Sequence, residues 1–451
     1  MDRTLIRNGR IISMDPAVGD PRADVLVEGE RIAAIGPDLA ADGAAVIDAR
    51  DMIVMPGFVN AHLHTWQTGI RGIAGDWTMT DYLRAMHAGL APAFTPDDIY
   101  IANLVGALNQ LNNGVTTLFD WCHNNPTPAH TDAAIAGLAE SGIRAVFGHG
   151  SPKPDAKEGD LPFSHKPHPA GEIARLRKGR FAADDGLMTL AMCILGPHYS
   201  TWEVTKGDFE LARDQDLVVS CHVGGATGMV PDGFERLAAA KLLSPRLNVV
   251  HGNNLTDDVL KSLADAGSNV TVTPEPEMQM GFGYPLTGRL VALGAPPSIG
   301  VDIESGIGGE MFTVMRMAMQ MQRAVDNEPY ARAGKAPPRL AVGPRDALAW
   351  ATVHGARMMG LEKRTGSLTP GKQADVILIR ATDLNLFPAH NPVQAVVLHA
   401  NPSNVDSVMV AGKFRKRGGR LLYDGLPARM AALEASGRRI LTKVGLLPAA
   451  A

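Results

Sequence analysis

The chain reads as two textures. Through its middle, short apolar runs alternate with longer stretches whose apolar residues recur at helical spacing, the pattern of repeated strand–helix units around a parallel sheet. Eight runs stand out: IVMPGFVNA, GVTTLF, IRAVFG, LMTLAMCIL, LVVSC, LNVV, NVTVT and PSIGV. Between them lie amphipathic segments such as DDIYIANLVGALNQLNN, TDAAIAGLAESG, FELARDQD and LTDDVLKSLADAG. Eight such units predict an α/β fold, a (β/α)8 barrel of TIM type, over about residues 57–365. The two ends differ. TLIRNGRIISM, ADVLVEGERIAAIG and AAVIDARDMIVMPG near the start, and QADVILIR, AVVLHA and VDSVMVAGKFRKRGGRLL near the end, are β-branched and broken by Gly and Asp. They predict one small β-sandwich domain assembled from residues 1–56 and 366–424, with PARMAALEASGRRILTKV as a helix within a terminal segment, 425–451.

Three stretches fall outside this alternation. SPKPDAKEGDLPFSHKPHPAGE, residues 151–172, is Pro-rich and aperiodic, and predicts a long loop over the active face after the third strand, where it can act as a lid. Its His165 and His168 form an HxxH, best read as part of a solvated loop. Met311, Met315, Met317, Met319 and Met321 fall on a helix after the eighth strand, where methionine usually fills core. Lys413, Arg415, Lys416, Arg417 and Arg420 surround Gly418-Gly419, a hairpin tip with a solvated face.

Composition narrows the class without naming the chemistry. A chain of 451 residues with 45% hydrophobic and 20% charged residues has material for a large core. A net charge of −4 gives no case for nucleic acid or an anionic membrane as partner. The N-terminus lacks a basic-then-apolar leader pattern, and no apolar run reaches bilayer length. Cys122, Cys193 and Cys221 are odd in number and form no CxxC, which argues for reduced thiols. The expectation is a cytoplasmic enzyme with a small-molecule substrate, assembled as a homo-oligomer.

The chemistry sits at the ends of the runs. In order, the strand ends carry His62 with His64, Asp120 with His123, His149, His198, His222, His251, Glu275 with Glu277, and Asp302. The C-terminal strand ends form the active face of such a barrel, and a scatter of 14 histidines would not favour those positions so heavily. His62 and His64 are two apart, so a strand presents both imidazoles on one face. HxH alone is a weak motif. With His222 in VVSCHVGG and Asp302 in SIGVDIES it becomes three imidazoles and a carboxylate, a donor set suited to one divalent metal with a position left for water. Zinc is the first expectation, with iron, manganese or cobalt as alternatives. Trp66 and Trp121 adjoin these positions and are candidates to stack a flat substrate, with ordinary barrel packing the competing reading.

PGFVNAHLHT, LGPHYS, SCHV, VVHGNNLTDD, GVDIESG, ATVHGARMMGLE and GSLTPGKQADVILI, in that order, resemble the amidohydrolase superfamily over nearly the whole chain. The likeness is greatest to the branch holding adenosine-type, S-adenosylhomocysteine, guanine and cytosine deaminases and triazine hydrolases. The resemblance implies that His62, His64, His222 and Asp302 ligate the metal, that Asp302 also takes a proton from the attacking water, that His251 orients the water or polarises the substrate, and that His198 contacts substrate. His123 is a further pocket candidate. Some members hold two metals bridged by a carboxylated lysine on strand four; MTLAMCILGP has no Lys, which favours one metal. One departure matters. Deaminases of this branch carry a Glu three residues after the strand-five histidine as proton shuttle, and here that position is Gly225, with no Glu before Glu235. Glu275 and Glu277 are the nearest candidates to replace it. The expected activity is hydrolysis of a non-peptide carbon–nitrogen bond, with two alternatives: deamination of a heterocycle, or cleavage of a carbamate, thiocarbamate, urea or amide. A non-catalytic scaffold would lack part of the ligand set, and all four residues are present.

Overall fold

The computed structural model describes residues 3–447; residues 1–2 and 448–451 of the first and last predicted segments lie outside the described residues. The barrel strands are β1 (Phe58–Leu63), β2 (Val115–Cys122), β3 (Arg144–Gly150), β4 (Met188–Ile194), β5 (Val218–Val223), β6 (Leu247–His251), β7 (Asn269–Val272) and β8 (Ser298–Ile299). They neighbour one another in sequence order, and every ladder is parallel. Strands covered on both faces need near-continuous apolar runs, and β2, β3 and β5 are buried at every position.

Closure between β8 and β1 shapes the site. Past the end of β8, the Asp302 amide donates to the His62 carbonyl (2.9 Å) and the His64 amide donates to the Asp302 carbonyl (2.8 Å). Gly300 permits this approach, since a Cβ there would lie 2.6 Å from the His62 nitrogen. Asp302 and His251 both take left-handed backbone, φ 76° and 65°. Such conformations cost about 1–3 kcal/mol each in non-glycine residues and concentrate where function needs a side chain aimed against local preference.

A nine-stranded mixed sheet from both chain ends stands beside the barrel. Met52–Pro56 pairs antiparallel with Val376–Arg380, which joins the two halves, around a core that includes Ile6, Val25, Val54, Val376, Leu378 and Met409. The run IVMPGFVNA is therefore two strands rather than one: Met52–Pro56 belongs to the outer sheet, and the chain enters β1 at Phe58. The two bodies are clamped by Arg144 on β3, which donates to Asp375 at 2.7 and 3.1 Å with both side chains 1% exposed.

Met311, Met315 and Met319 are buried on the helix Met311–Arg332, as core methionines. Two surface expectations fail. Lys416, in the hairpin, is buried and its Nζ donates to the Asn112 carbonyl at 2.7 Å. His168, in the Pro-rich loop, is also buried, because His149 and Ser151 bond to its ring. All three cysteines are buried and free. Among the described residues no helix is long and apolar enough to cross a membrane.

Candidate metal centre and active-site cavity

His62, His64, His222 and Asp302 converge at the C-terminal mouth of the barrel. Each is buried, and one donor atom from each lies within 4.8 Å of the others. The Asp302 Oδ1 is 3.1 Å from His62 Nε2 and 3.3 Å from His64 Nε2, and His222 Nε2 is 3.2 Å from His62 Nε2. His64 Nδ1 lies 2.6 Å from the Trp121 carbonyl, which can only accept, so that nitrogen carries the proton. A neutral ring in this tautomer turns its Nε2 lone pair on the carboxylate, a contact that suits a cation between them. His62 Nδ1 has no hydrogen-bond partner although it is buried. Burial first, and the neighbouring His64 second among the opposing charges, pull His62 down to about 3 despite its bond to Asp302. Burial and then His62 hold His222 well below its usual value. Both are therefore neutral, as ligands must be. Burial alone would raise the Asp302 carboxyl, but the hydrogen bond from His62, the His64 ring against the same oxygen and the field of His251 outweigh it, leaving it well below the carboxylate range. The donor set fits a divalent metal.

His251 closes one side. Its Nε2 lies 4.0 Å from Asp302 Oδ2, and its Nδ1 faces Glu277 Oε1 (3.3 Å) and Thr273 Oγ1 (3.0 Å). Glu277 is buried and also accepts from the Thr273 amide (2.7 Å) and Asn253 Nδ2 (3.1 Å). Its oxygens are thus committed to holding His251 and the loop.

A cavity lies above these residues. Its apolar walls are Met79, Leu83, Met280, Phe282 and Ile303, and its polar lining includes His64, Tyr82, His87, His123, Lys153, Tyr199, His222, His251 and Asp302. Met79, Tyr82, Leu83 and His87 come from the consecutive helical turns Met79–Tyr82 and Leu83–Leu90, which the sequence reading did not single out. Lys153 was missed inside the Pro-rich loop, and Tyr199 beside His198; position next to a strand end was the available signal for both.

The other sequence candidates fall around this centre. His123 lines the cavity and stacks on His64, with ring centroids 4.1 Å apart. Trp66 is not in the cavity lining; it packs on Phe94 and its Nε1 donates to His123 Nδ1 at 3.0 Å. Burial keeps His123 far below its usual pKa, so the proton of this neutral ring sits on Nε2. Trp121 is likewise outside the lining, under His222 at 4.3 Å between centroids, with its indole donating to Ser220 Oγ. His198 lines a neighbouring cavity with Pro197, Gly225 and Asn254. Glu275 is outside the lining; burial, then Glu310, raises it to about 7. Asp120 accepts from the Thr65 amide and Asn103, and His149 meets His168, so neither faces the centre.

Gly225 explains the departure at the strand-five motif in steric terms. A Cβ on it would lie 3.2 Å from the Phe282 Cα and 3.7 Å from the Gly281 carbonyl oxygen. The loop after Glu277 occupies the space a longer side chain would use. Among the described residues, Asp302 is the single carboxylate in the cavity lining.

Comparison with known proteins places this architecture. The chain is 30% identical over 460 residues to a 5-methylthioadenosine/S-adenosylhomocysteine deaminase from Desulforudis audaxviator, covering 98% of this chain and all of that one. It is 30% identical over 438 residues to an 8-oxoguanine deaminase from Pseudomonas aeruginosa, covering 92% and 94%. Among solved structures, an atrazine chlorohydrolase from Arthrobacter aurescens complexed with zinc superposes with a TM-score of 0.85 at 23% identity, over 96% of this chain and all of that one. An adenosine deaminase from Xanthomonas campestris with bound zinc gives 0.81 at 25% identity, over 97% and 98%. The amidohydrolase family model matches residues 53–415, spanning the whole barrel and most of the returning sheet, and the chain belongs to that family.

Proposed function

We propose that this protein is a mononuclear zinc-dependent hydrolase that cleaves a non-peptide carbon–nitrogen bond of a small molecule. The observation that carries this reading is the convergence of three imidazoles and Asp302 beneath a cavity with apolar walls, with His251 held against Asp302 by Glu277. When bound, the metal supplies Lewis acidity and lowers the pKa of water from about 16 toward about 7. Asp302 Oδ2 accepts the proton of the attacking water and returns it to the leaving nitrogen as the carbon–nitrogen bond breaks. His251, with Nδ1 directed at Glu277, presents Nε2 to the same region and steadies the charge that develops on the substrate. Glu277 acts through His251. His64, pinned by the Trp121 carbonyl, keeps its Nε2 aimed at the centre. The apolar walls exclude bulk water and select a substrate with an apolar or flat body.

The relatives named as deaminases make a ring amine one substrate class. Gly225, packed against the Phe282 backbone, favours the other, a urea, carbamate or amide, because the strand-five glutamate by which deaminases of this branch shuttle a proton has no counterpart here. The zinc-reconstituted protein should be assayed for ammonia release from aminopurines and aminopyrimidines, and for amine release from aryl ureas, carbamates and anilides. Turnover is expected in the second group. Asp302→Ala should abolish it while circular dichroism stays native, and full activity in that variant would overturn the assignment.

A further inference from the structure

The cavity holds a buried cation that the hydrolytic chemistry above does not use. Lys153 is 8% exposed, and among the described residues its Nζ has no carboxylate within 4.0 Å and donates no hydrogen bond to the protein. Its contacts are with aromatic faces: Nζ lies 4.8 Å from the Tyr199 ring centroid and 5.7 Å from that of Trp121. Such contacts hold an ammonium without satisfying its N–H donors. The side chain is largely buried while its ammonium opens on the cavity without a protein acceptor, so its donors are free to meet a ligand.

Its placement is built. The loop after β3 is pinned by His168, whose ring meets His149 Nδ1 and Ser151 Oγ, each at 3.0 Å, and whose amide donates to Asp208 Oδ1 at 2.8 Å. Ser151 is two residues before Lys153. Lys153, Leu83, His87 and Tyr199 line both the inner cavity and an outer cleft, so Lys153 stands at the neck between them. The charge balance points the same way. Against the single carboxylate of Asp302 the lining sets Lys153, and a divalent metal adds more positive charge than a hydroxide nucleophile removes. Burial draws Lys153 down to about 8, with Asp302 opposing, which leaves it largely charged at neutral pH.

We propose that Lys153 is the substrate-recognition cation of this site, and that the substrate carries a carboxylate or similar oxyanion that meets this ammonium while its carbon–nitrogen bond lies over His62, His64, His222 and Asp302. The proposal rests on the hydrolase reading for where the bond lies, but its anion preference is measurable by binding alone. The test is calorimetry of the zinc-loaded protein with matched pairs, benzoate against benzamide and 4-ureidobenzoate against 4-ureidobenzamide. The wild type should favour the acids by roughly tenfold or more, and Lys153→Arg should keep most of that gap. Lys153→Met and Lys153→Gln should both lose it, with zinc content unchanged and carboxamide affinity within about twofold of the wild type. Equal binding of acid and carboxamide by the wild type overturns the proposal, as does failure of both to bind. So does a gap that survives in both variants, which would put the anion on the metal. Equal loss of turnover on both members of the urea pair, with the binding gap intact, would instead make Lys153 a proton donor and also overturns it. If the hydrolase reading alone is wrong, the binding gap persists and neither urea is cleaved.

Discussion

Glu277 sits behind His251, at one side of the candidate metal centre. Its oxygens accept from the Thr273 amide, Asn253 and His251, and its burial leaves no water to substitute for them. Glu277→Gln keeps the shape but replaces one acceptor oxygen by a donor, so His251 loses its tautomer and orientation. The expected result is a fall in kcat of about 10–100-fold with KM and zinc content little changed. Steady-state kinetics check this, and an unchanged kcat would remove His251 from the reaction. At this scale the convergence of His62, His64, His222 and Asp302 was legible, because strand spacing and strand ends constrain where such side chains point. Lys153 was not: nothing local in a Pro-rich loop says which of its residues turns inward. Trp66 and Trp121 looked like stacking platforms from their neighbours in sequence, yet Trp66, on the turn after β1, donates its indole N–H to His123, and Trp121, on β2, holds His64 through its carbonyl.

Among the elements, the loop after β3 is the one whose behaviour should depend on pH. His149 and His168 share a hydrogen bond at 3.0 Å, which requires at least one neutral ring. Burial pulls His149 from 6.5 to about 4, and burial followed by His149 pulls His168 well below its usual value. Between about pH 6.5 and 4 the unfolded chain therefore binds protons that the native state refuses. Stability from these groups is fully present above 6.5 and is lost as pH falls through about 4, with a share of about 3 kcal/mol at most for His149. Urea midpoints across that window should fall less steeply in His149→Gln than in the wild type. An equal slope would show that the pair does not couple to folding. The elements themselves were largely legible. Each of the eight barrel strands overlaps a predicted run, since parallel strands covered on both faces need uninterrupted apolar residues. Periodicity does not say which sheet a run joins, and so IVMPGFVNA concealed a passage from one sheet to another.

The whole molecule depends on the junction between barrel and outer sheet. Arg144 and Asp375 are almost wholly buried, and Asp375 Oδ1 also accepts the Ala411 amide at 2.7 Å. Removing one partner strands the other charge, so Asp375→Ala should destabilise the protein by about 3–5 kcal/mol, whereas replacing both residues with apolar side chains of similar volume should cost less. Chemical denaturation of the single and double variants checks this, and additive losses would show that the two charges do not act as a pair. The sequence by itself determined the repeating strand–helix order, the return of the chain end to the first sheet, and the row of candidate metal ligands along one rim, because each is written in short-range periodicity and in the polarity of parallel strands. Tertiary structure alone decided that Phe282 fills the space beside Gly225, that Glu277 serves His251, and that a single ammonium faces the cavity. Those outcomes depend on how segments far apart in the chain compete for the same few ångströms, and no local pattern records that competition.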